Sequence, residues 1–553
     1  MIYPKIPLAQ SIIEICLAKG LTDIVISPGS RNAPLIIGFV NNPKFNCYSI
    51  ADERCAAFFA VGMAQQTKKP VAVICTSGSA LLNYYPAFAE AFYSQIPLVV
   101  ISADRPSNKI DIGDGQTIRQ RDVFKNHSLY NANLTAEICA QNDSDINEAI
   151  NFAMMHRGPV HINAPFKEPL YETTDTLFNK SLIFEAFDFT SFMESKIDQS
   201  FLDIWNNSSK KMILAGVNYP NVLSHDNIEH LANDKAVVVM TETTSNLHHP
   251  SFINNIDTII TPFSEQDFQY FQPDILVTFG GMIVSKRIKV FLRKHKPKHH
   301  WHIDLYRAYD TFDMQLKHFE MNPNDFFDLL FLKSIAVDSD YFAKMNEIKM
   351  HRERKTAEYL NKIPFSDFKV FELIIDSLPK YSMFQISNSS PIRYAQLIDI
   401  DPTIEIYCNR GTSGIDGSTS TAIGAAVARD ISTVFATGDV GFLYDSNALW
   451  NASIPKNFKI ILINNGGGGI FRILPGHEET EVFNEFFETS HCLTAEHLAK
   501  MYGFEYAIAS TTESLEVALE KMYLQNDKPY LLEVFTPTRE NDKILLQFFK
   551  ELV

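Results

Sequence analysis

Two short stretches place oxygen-bearing residues directly after apolar runs. One reads Ala436-Thr437-Gly438-Asp439-Val440-Gly441-Phe442; the other, about two dozen residues on, reads Asn464-Asn465-Gly466-Gly467-Gly468-Gly469-Ile470-Phe471. Asp439 offers a carboxylate, Asn465 a side-chain oxygen, and the glycines uncovered carbonyls. An oxygen-only set of this kind suits Mg²⁺, which keeps phosphate oxygens of its ligand in its shell. Together the stretches read as a metal site that holds a diphosphate. The competing reading is two ordinary turns, since Gly-Asp and Asn-Gly are frequent turn pairs.

Other residues carry chemistry of their own. Glu53 lies between an extended segment and an apolar helix, where partial desolvation would raise its pKa and let it share a proton with a ring nitrogen. It could equally be a helix-start carboxylate facing the dipole. Ser30, Arg31 and Arg105 follow strand ends, where guanidinium forks can meet carboxylates; each arginine alone could be a surface ion pair. In Ser387 to Arg393, Pro391 near a helix start leaves free N–H groups that suit an anion. The run from Asn409 to Ser418 is rich in glycine and hydroxyls, as backbone wrapped around a ligand would be, or a flexible linker. Thr278 is a poor phosphate hook, because Phe279 stands between it and Gly280-Gly281. The run Lys294 to His302 reads as a basic loop entering a strand rather than a metal site, since no ligand-spaced acids or cysteines accompany it.

These residues need strands to carry them. Ile431 to Ala436 and Phe458 to Ile463 read as buried parallel strands, and the turns after them lie at carboxyl ends, where open α/β sheets bind ligands. Further strands are expected at Asp23–Ile26, Asn46–Ile50, Val71–Cys75 and Pro97–Ile101. Gly158 to Asn163 closes that set, with one helix over Leu81 to Phe92. Lys211–Gly216, Ala236–Met240, Asp274–Phe279 and Trp301–Asp304 form a second set. Ser382–Ile386, Ile404–Tyr407 and Pro529–Val534 complete the third. Residues 322–360 are expected to be helical. The rhythm predicts three parallel-sheet α/β domains with helices on both faces, at 1–180, 181–345 and 346–553. A chain of 553 residues is too long for one core. The net charge of −16 argues against a nucleic-acid scaffold. No apolar run reaches the ~20 residues of a membrane span, and the first residues lack the basic and apolar regions of a signal peptide. The seven scattered cysteines read as reduced thiols of a cytoplasmic protein.

Gly438-Asp439 followed by Asn464-Asn465 resembles the metal and diphosphate motif of thiamine diphosphate enzymes of the decarboxylase/carboligase type. Val440 stands where decarboxylases carry glycine, and this fits the branch that the whole chain resembles, the synthases of menaquinone biosynthesis that join 2-oxoglutarate to isochorismate. The resemblance implies thiamine diphosphate with Mg²⁺ or Mn²⁺ as cofactors. It implies decarboxylation of 2-oxoglutarate and a Stetter-like 1,4-addition of the four-carbon remainder to isochorismate. Asp52-Glu53-Arg54 matches the family's activating glutamate, which gives Glu53 the proton at N1′ of the aminopyrimidine, so that no protein base need touch C2. Asp439, Asn465 and the Gly467 carbonyl are implied to hold the metal. Thr76, Ser389, Gly411, Gly438, Val440 and Ile470 are implied to lie against the cofactor, and Ile415 to bend it into a V. Ser30, Arg31, Arg105, Gln116, Arg287, Ser389, Arg393 and Arg410 are implied to bind the substrates, with Ile470, Phe471 and Leu474 lining the reacting face. Arg31, Gln116 and Arg393 fall beside the reacting atoms, while Gly115 stands where the family has asparagine. Such enzymes build the site between subunits, which implies a homodimer or homotetramer. Another thiamine diphosphate decarboxylase or carboligase of the acetolactate type, and a non-catalytic scaffold, are the alternatives.

Overall fold

The structure is a computed structural model that describes residues 2–178, 180–185, 196–473, 478–524 and 527–553. Three parallel sheets organise it. The first contains β1 (Asp23–Ile26), β2 (Asn46–Ser49), β3 (Val71–Cys75), β4 (Leu98–Asp104), β5 (Asn131–Asn133) and β6 (Val160–Pro165), in the spatial order β2-β1-β3-β4-β6-β5. The second contains β7 (Lys211–Ala215), β8 (Val237–Thr241), β9 (Ile275–Phe279), β10 (His299–Ile303) and β11 (Leu316–Phe319), ordered β8-β7-β9-β10-β11. The third contains β12 (Met383–Ile386), β13 (Glu405–Tyr407), β14 (Thr433–Gly438), β15 (Phe458–Asn464), β16 (Glu505–Ala509) and β17 (Tyr530–Phe535), ordered β13-β12-β14-β15-β17-β16. First and third sheets therefore share one winding pattern. Tyr3–Pro4 pairs antiparallel with Thr173–Thr174 and ties the amino terminus to the end of the first unit.

Helices cover both faces, because alternate residues of each central strand are buried on opposite sides. Val71, Val73 and Cys75 of β3 join one apolar cluster, while Ala72 and Ile74 join another. Phe435, Ile460 and Leu462 of the third sheet belong to the same cluster as Val73, so the first and third units share a core. Five helices matter for the site: α1 (Glu53–Thr67), α2 (Tyr85–Ser94), α3 (Lys286–Lys294), α4 (Asp367–Ser377) and α5 (Ser418–Ala428). The shared core is built where α1 lies against α5.

Some elements differ from the sequence expectation. The helix expected over Leu81 to Phe92 is two, Ser79–Asn83 and Tyr85–Ser94, because Pro86 has no N–H to continue the first. Residues 322–360 hold two helices, Pro323–Phe331 and Tyr341–Leu360, with an irregular stretch between them. The histidine run enters the strand earlier than expected, so His299 and His300 belong to β10 itself. Thr278 Oγ1 lies 3.0 Å from His300 Nε2 and 2.8 Å from His302 Nδ1, so the side chain is engaged within the sheet.

Candidate active site

Asp439 begins the residues after β14 and Asn465 follows β15, its neighbour in the sheet. Asp439 is 3 % exposed. Its Oδ1 accepts the Val440 N–H at 2.7 Å, and its Oδ2 accepts those of Gly466 at 2.8 Å and Gly467 at 3.0 Å. The two turns are thus physically joined. Gly466 and Gly467 can aim both amides at one oxygen because their φ values, +80° and +153°, are open to glycine. Burial raises the Asp439 carboxyl pKa, opposed by the Val440 amide and then by His491, whose Nε2 stands 3.4 Å from Oδ2.

Asn465 donates its Nδ2 to Asp367 Oδ2 at 2.9 Å, which leaves Oδ1 as the free end of the amide among the described residues. Among the described residues the Gly467 carbonyl accepts the Gly469 N–H alone, at 3.0 Å, which leaves one lone pair open there. These groups line a cleft of about 150 Å³ together with Ser389, Ser390, Ile415, Gly438, Val440, Ile470 and Phe471. Ser389, at φ +74°, precedes the short helix Ser390–Ala395, whose second residue is Pro391. Among the described residues no three His, Cys, Asp or Glu side chains converge as a metal cage. A cation here would use one carboxylate, one amide oxygen and one carbonyl, and must complete its shell with oxygens of a ligand, as Mg²⁺ does with phosphates. The donor set fits a diphosphate-bound divalent ion.

A second group of site residues sits at the carboxyl ends of the first sheet. β1 and β3 are adjacent there although β2 lies between them in sequence, which makes a switch point of the kind where α/β sheets bind ligands. Arg31 follows β1 and donates its N–H to Thr76 Oγ1, after β3, at 3.2 Å. The Arg31 guanidinium, 4 % exposed, reaches Phe166 O at 3.1 Å and Glu168 Oε1 at 3.0 Å. Arg105, after β4, reaches the same Glu168 oxygen at 3.6 Å and Gly115 O at 3.2 Å. Ser30 and Gln116 are exposed beside them, Gln116 with φ +55° and its carbonyl bonded by Ser77 Oγ at 2.9 Å. Glu53, the first residue of α1, is half-buried rather than buried; Asn83 Nδ2 stands 3.5 Å from its Oε2. It does not line the cleft of the third sheet, and neither do Arg31, Arg105, Gln116 and Thr76.

Arg393 and Arg410 bond residues of that cleft's wall. Arg393 donates to Ser389 O at 3.0 Å, and Arg410 to Asn388 Oδ1 at 2.7 Å. Arg287, exposed on α3, lies 5.1 Å from the centre of the Phe549 ring. Burial lowers the Arg393 pKa, Arg410 lowers it further, and Asp257 opposes both. Burial raises the Asp257 pKa, countered by Ser285, Arg287 and Arg393. The Nε atoms of Arg31, Arg105 and Arg410 are buried without a partner among the described residues. Guanidinium N–H groups of this kind can meet carboxylates.

Gly411 is tied to α2 through its backbone. Its amide is taken by Glu90 of α2 at 2.7 Å, Glu90 also accepts Thr412 N at 2.6 Å, and Gly411 does not line the cleft. Glu90 is only 1 % exposed. Leu474 lies outside the described residues. Sequence reading missed Asp367, Glu168 and Glu90. Ser366-Asp367 looks like an ordinary helix start, and nothing local marks an acid that acts on a segment a hundred residues away.

Fold and site together define a thiamine diphosphate-dependent enzyme, and comparison with known proteins agrees. The family described as thiamine pyrophosphate enzyme, N-terminal TPP binding domain, matches residues 6–128, the middle domain of thiamine pyrophosphate matches 199–380, and the C-terminal TPP binding domain matches 389–534. The 2-succinyl-5-enolpyruvyl-6-hydroxy-3-cyclohexene-1-carboxylate synthase of Flavobacterium johnsoniae is 66 % identical with both chains covered over 100 % of their length. That of Flavobacterium psychrophilum is 64 % identical with 100 % of both chains covered. That of Porphyromonas gingivalis is 36 % identical over 96 % of this chain and 94 % of its own. The chain belongs to the 2-succinyl-5-enolpyruvyl-6-hydroxy-3-cyclohexene-1-carboxylate synthase family, with thiamine diphosphate as its cofactor.

Proposed function

We propose that the chain decarboxylates 2-oxoglutarate and adds the remaining succinyl-semialdehyde unit to isochorismate by a Stetter-like 1,4-addition, giving 2-succinyl-5-enolpyruvyl-6-hydroxy-3-cyclohexene-1-carboxylate and CO₂ for menaquinone biosynthesis. Bound thiamine diphosphate supplies the nucleophile and electron sink for both steps. The observation that carries the site is the joining of Asp439 to the Gly466-Gly467 turn beside the free Oδ1 of Asn465. Asp439, Asn465 and the Gly467 carbonyl would hold Mg²⁺ or Mn²⁺, and Ser389, Gly438, Val440 and Ile470 would close around the diphosphate. Ile415 would keep the cofactor bent, and Phe471 with Ile470 would exclude water from the reacting face.

Glu53 would hold the proton at N1′ of the aminopyrimidine. Its place outside the cleft supports an active site shared between subunits, so the working form is a homodimer or homotetramer. The cleft, about 150 Å³, is also well below the roughly 300–1,000 Å³ of a whole ligand site. On this reading the units 1–180 and 346–553 each grip one end of the cofactor and 181–345 supports them. Arg31 and Arg105 would exchange Glu168 for a substrate carboxylate, with Ser30 and Gln116 orienting the substrate. Arg287, Arg393 and Arg410 would supply the positive field for the second polyanion in an acidic protein. The chain is assigned to the cytoplasm, supported by seven unpaired cysteines. No helix among the described residues is long and apolar enough to cross a membrane.

The test supplies both substrates with thiamine diphosphate and Mg²⁺ and follows CO₂ and product by mass spectrometry. Product that requires all four components is expected. CO₂ release without adduct, or a preference for pyruvate over 2-oxoglutarate, would overturn the assignment.

A further inference from the structure

Among the described residues Asp367 is the one carboxylate besides Asp439 on the wall of the cleft. A second acid there would repel a diphosphate, so its presence needs a reason. It heads α4, is 3 % exposed, and is gripped by segments that flank the cleft. Its Oδ1 accepts Thr536 Oγ1 at 2.5 Å, its backbone N–H donates to Asn541 Oδ1 at 2.8 Å, and its Oδ2 accepts Asn465 Nδ2 at 2.9 Å. A side-chain amide has two ends of nearly equal size, and only the oxygen end can bind a cation. A carboxylate with both oxygens accepting can bond only the nitrogen end.

We propose that Asp367 is a positioning residue of the metal site: by accepting the Nδ2 proton of Asn465 it turns the amide so that Oδ1 faces the cation beside Asp439. This rests on the reading that Asp439, Asn465 and Gly467 hold the ion. The bond also polarises the amide and makes Oδ1 a better donor to a divalent ion, as acceptors behind metal ligands do elsewhere. Thr536 bonds the other carboxylate oxygen and Asn541 the backbone N–H, which secure the start of α4, while the bond from Asn465 to Oδ2 is the contact that turns the amide.

Calorimetric titration of Mg²⁺ into metal-stripped protein saturated with thiamine diphosphate tests this without any activity measurement. Asp367→Ala should weaken Mg²⁺ about 10–100-fold, the usual cost of losing such a partner. Asp367→Asn should recover most of that, because its amide oxygen can still accept from Asn465 while its NH₂ donates to Thr536. Thr536→Val cuts the other bond to the same carboxylate, and should lower the thermal midpoint while Mg²⁺ affinity stays near wild type. Wild-type Mg²⁺ affinity in Asp367→Ala, no recovery in Asp367→Asn, or an equal loss in Thr536→Val would each overturn the proposal. Should Asp367→Ala not fold, a crystal structure of the wild-type holoenzyme with Mn²⁺ decides. Asn465 Oδ1 on the ion with Nδ2 on Asp367 is expected, and the amide nitrogen directed elsewhere would overturn it. A wild-type protein that binds no Mg²⁺ with thiamine diphosphate would remove the underlying site reading and this inference with it.

Discussion

On the proposed reading, Asp439 and Glu53 divide the chemistry between two kinds of carboxylate. Asp439 is buried and held by three backbone amides, an arrangement that fixes the ionised form in place for a cation. Glu53 is half-buried, and the side-chain bond to it among the described residues is a long one, from Asn83. Glu53→Gln should therefore leave thiamine diphosphate and Mg²⁺ affinity within about threefold of wild type, since the residue has no part in the diphosphate cleft. It should slow exchange of the cofactor C2 proton by more than about 100-fold, within the 10²–10⁴ range of general acid–base groups. Deuterium exchange followed by NMR checks this, and unchanged exchange would remove the proton role. At this scale the residue types were legible in the sequence, because Gly438-Asp439, Asn464-Asn465 and Asp52-Glu53-Arg54 are contiguous words. Asp367 and Glu168 were not, because each acts on a residue far away in the chain.

The close crossing of α1 and α5 is what brings the first and third sheets to a common core. Gly62 of α1 and Gly424 of α5 make the approach possible. A Cβ on Gly62 would stand 2.0 Å from Thr421 O, and one on Gly424 2.0 Å from Phe59 O. Two effects of Gly424→Ala oppose each other. Alanine favours the helix by about 1 kcal/mol, while forcing atoms into a packed contact typically costs about 1–3 kcal/mol. Here the obstacle is backbone, which cannot rotate away, so packing wins. Gly424→Ala should lower the thermal midpoint, and an unchanged or higher midpoint would show that the helices slide apart without cost. The partner of α5, some 360 residues upstream, was not legible in the sequence.

Across the whole molecule, the second unit is fastened to the third at one edge. Asn246 donates to Ile406 O at 2.9 Å and accepts the Ile406 N–H at 2.8 Å, pairing with strand β13 as a neighbouring strand would. Next to it, the buried Glu242 accepts the amides of Val284 and Ser285, both at 2.6 Å, just before α3 with Arg287. Burial raises the Glu242 carboxyl to about 7, against those two amides and Arg410. A folded pKa above the unfolded value of about 4.3 means its stabilising contribution is complete below that value and lost as pH rises towards 7. Glu242→Gln removes this titration. Its midpoint relative to wild type should therefore rise by a few degrees between pH 5 and pH 8, a difference that cancels the buried histidines common to both proteins. A relative midpoint that is flat or falls with pH would mean that Glu242 stays ionised in the folded state.

Residue order alone determined the class of chemistry, the parallel strands and the turns that carry oxygen ligands. Strand periodicity and motif spacing are local properties, set within a few residues of the atoms concerned. Only the tertiary structure decided that the first and third sheets wind in the same order, that Glu90 accepts the Gly411 amide, and that Asp367 stands behind Asn465. It also decided that Arg31 and Arg105 meet at Glu168 on the first sheet, while Arg393 and Arg410 bond the loop after β12 of the third. Apart from the short-range bond of Arg393, these are contacts between segments far apart in the chain, chosen by burial and by the need to pair every buried charge, and no stretch of sequence contains both partners.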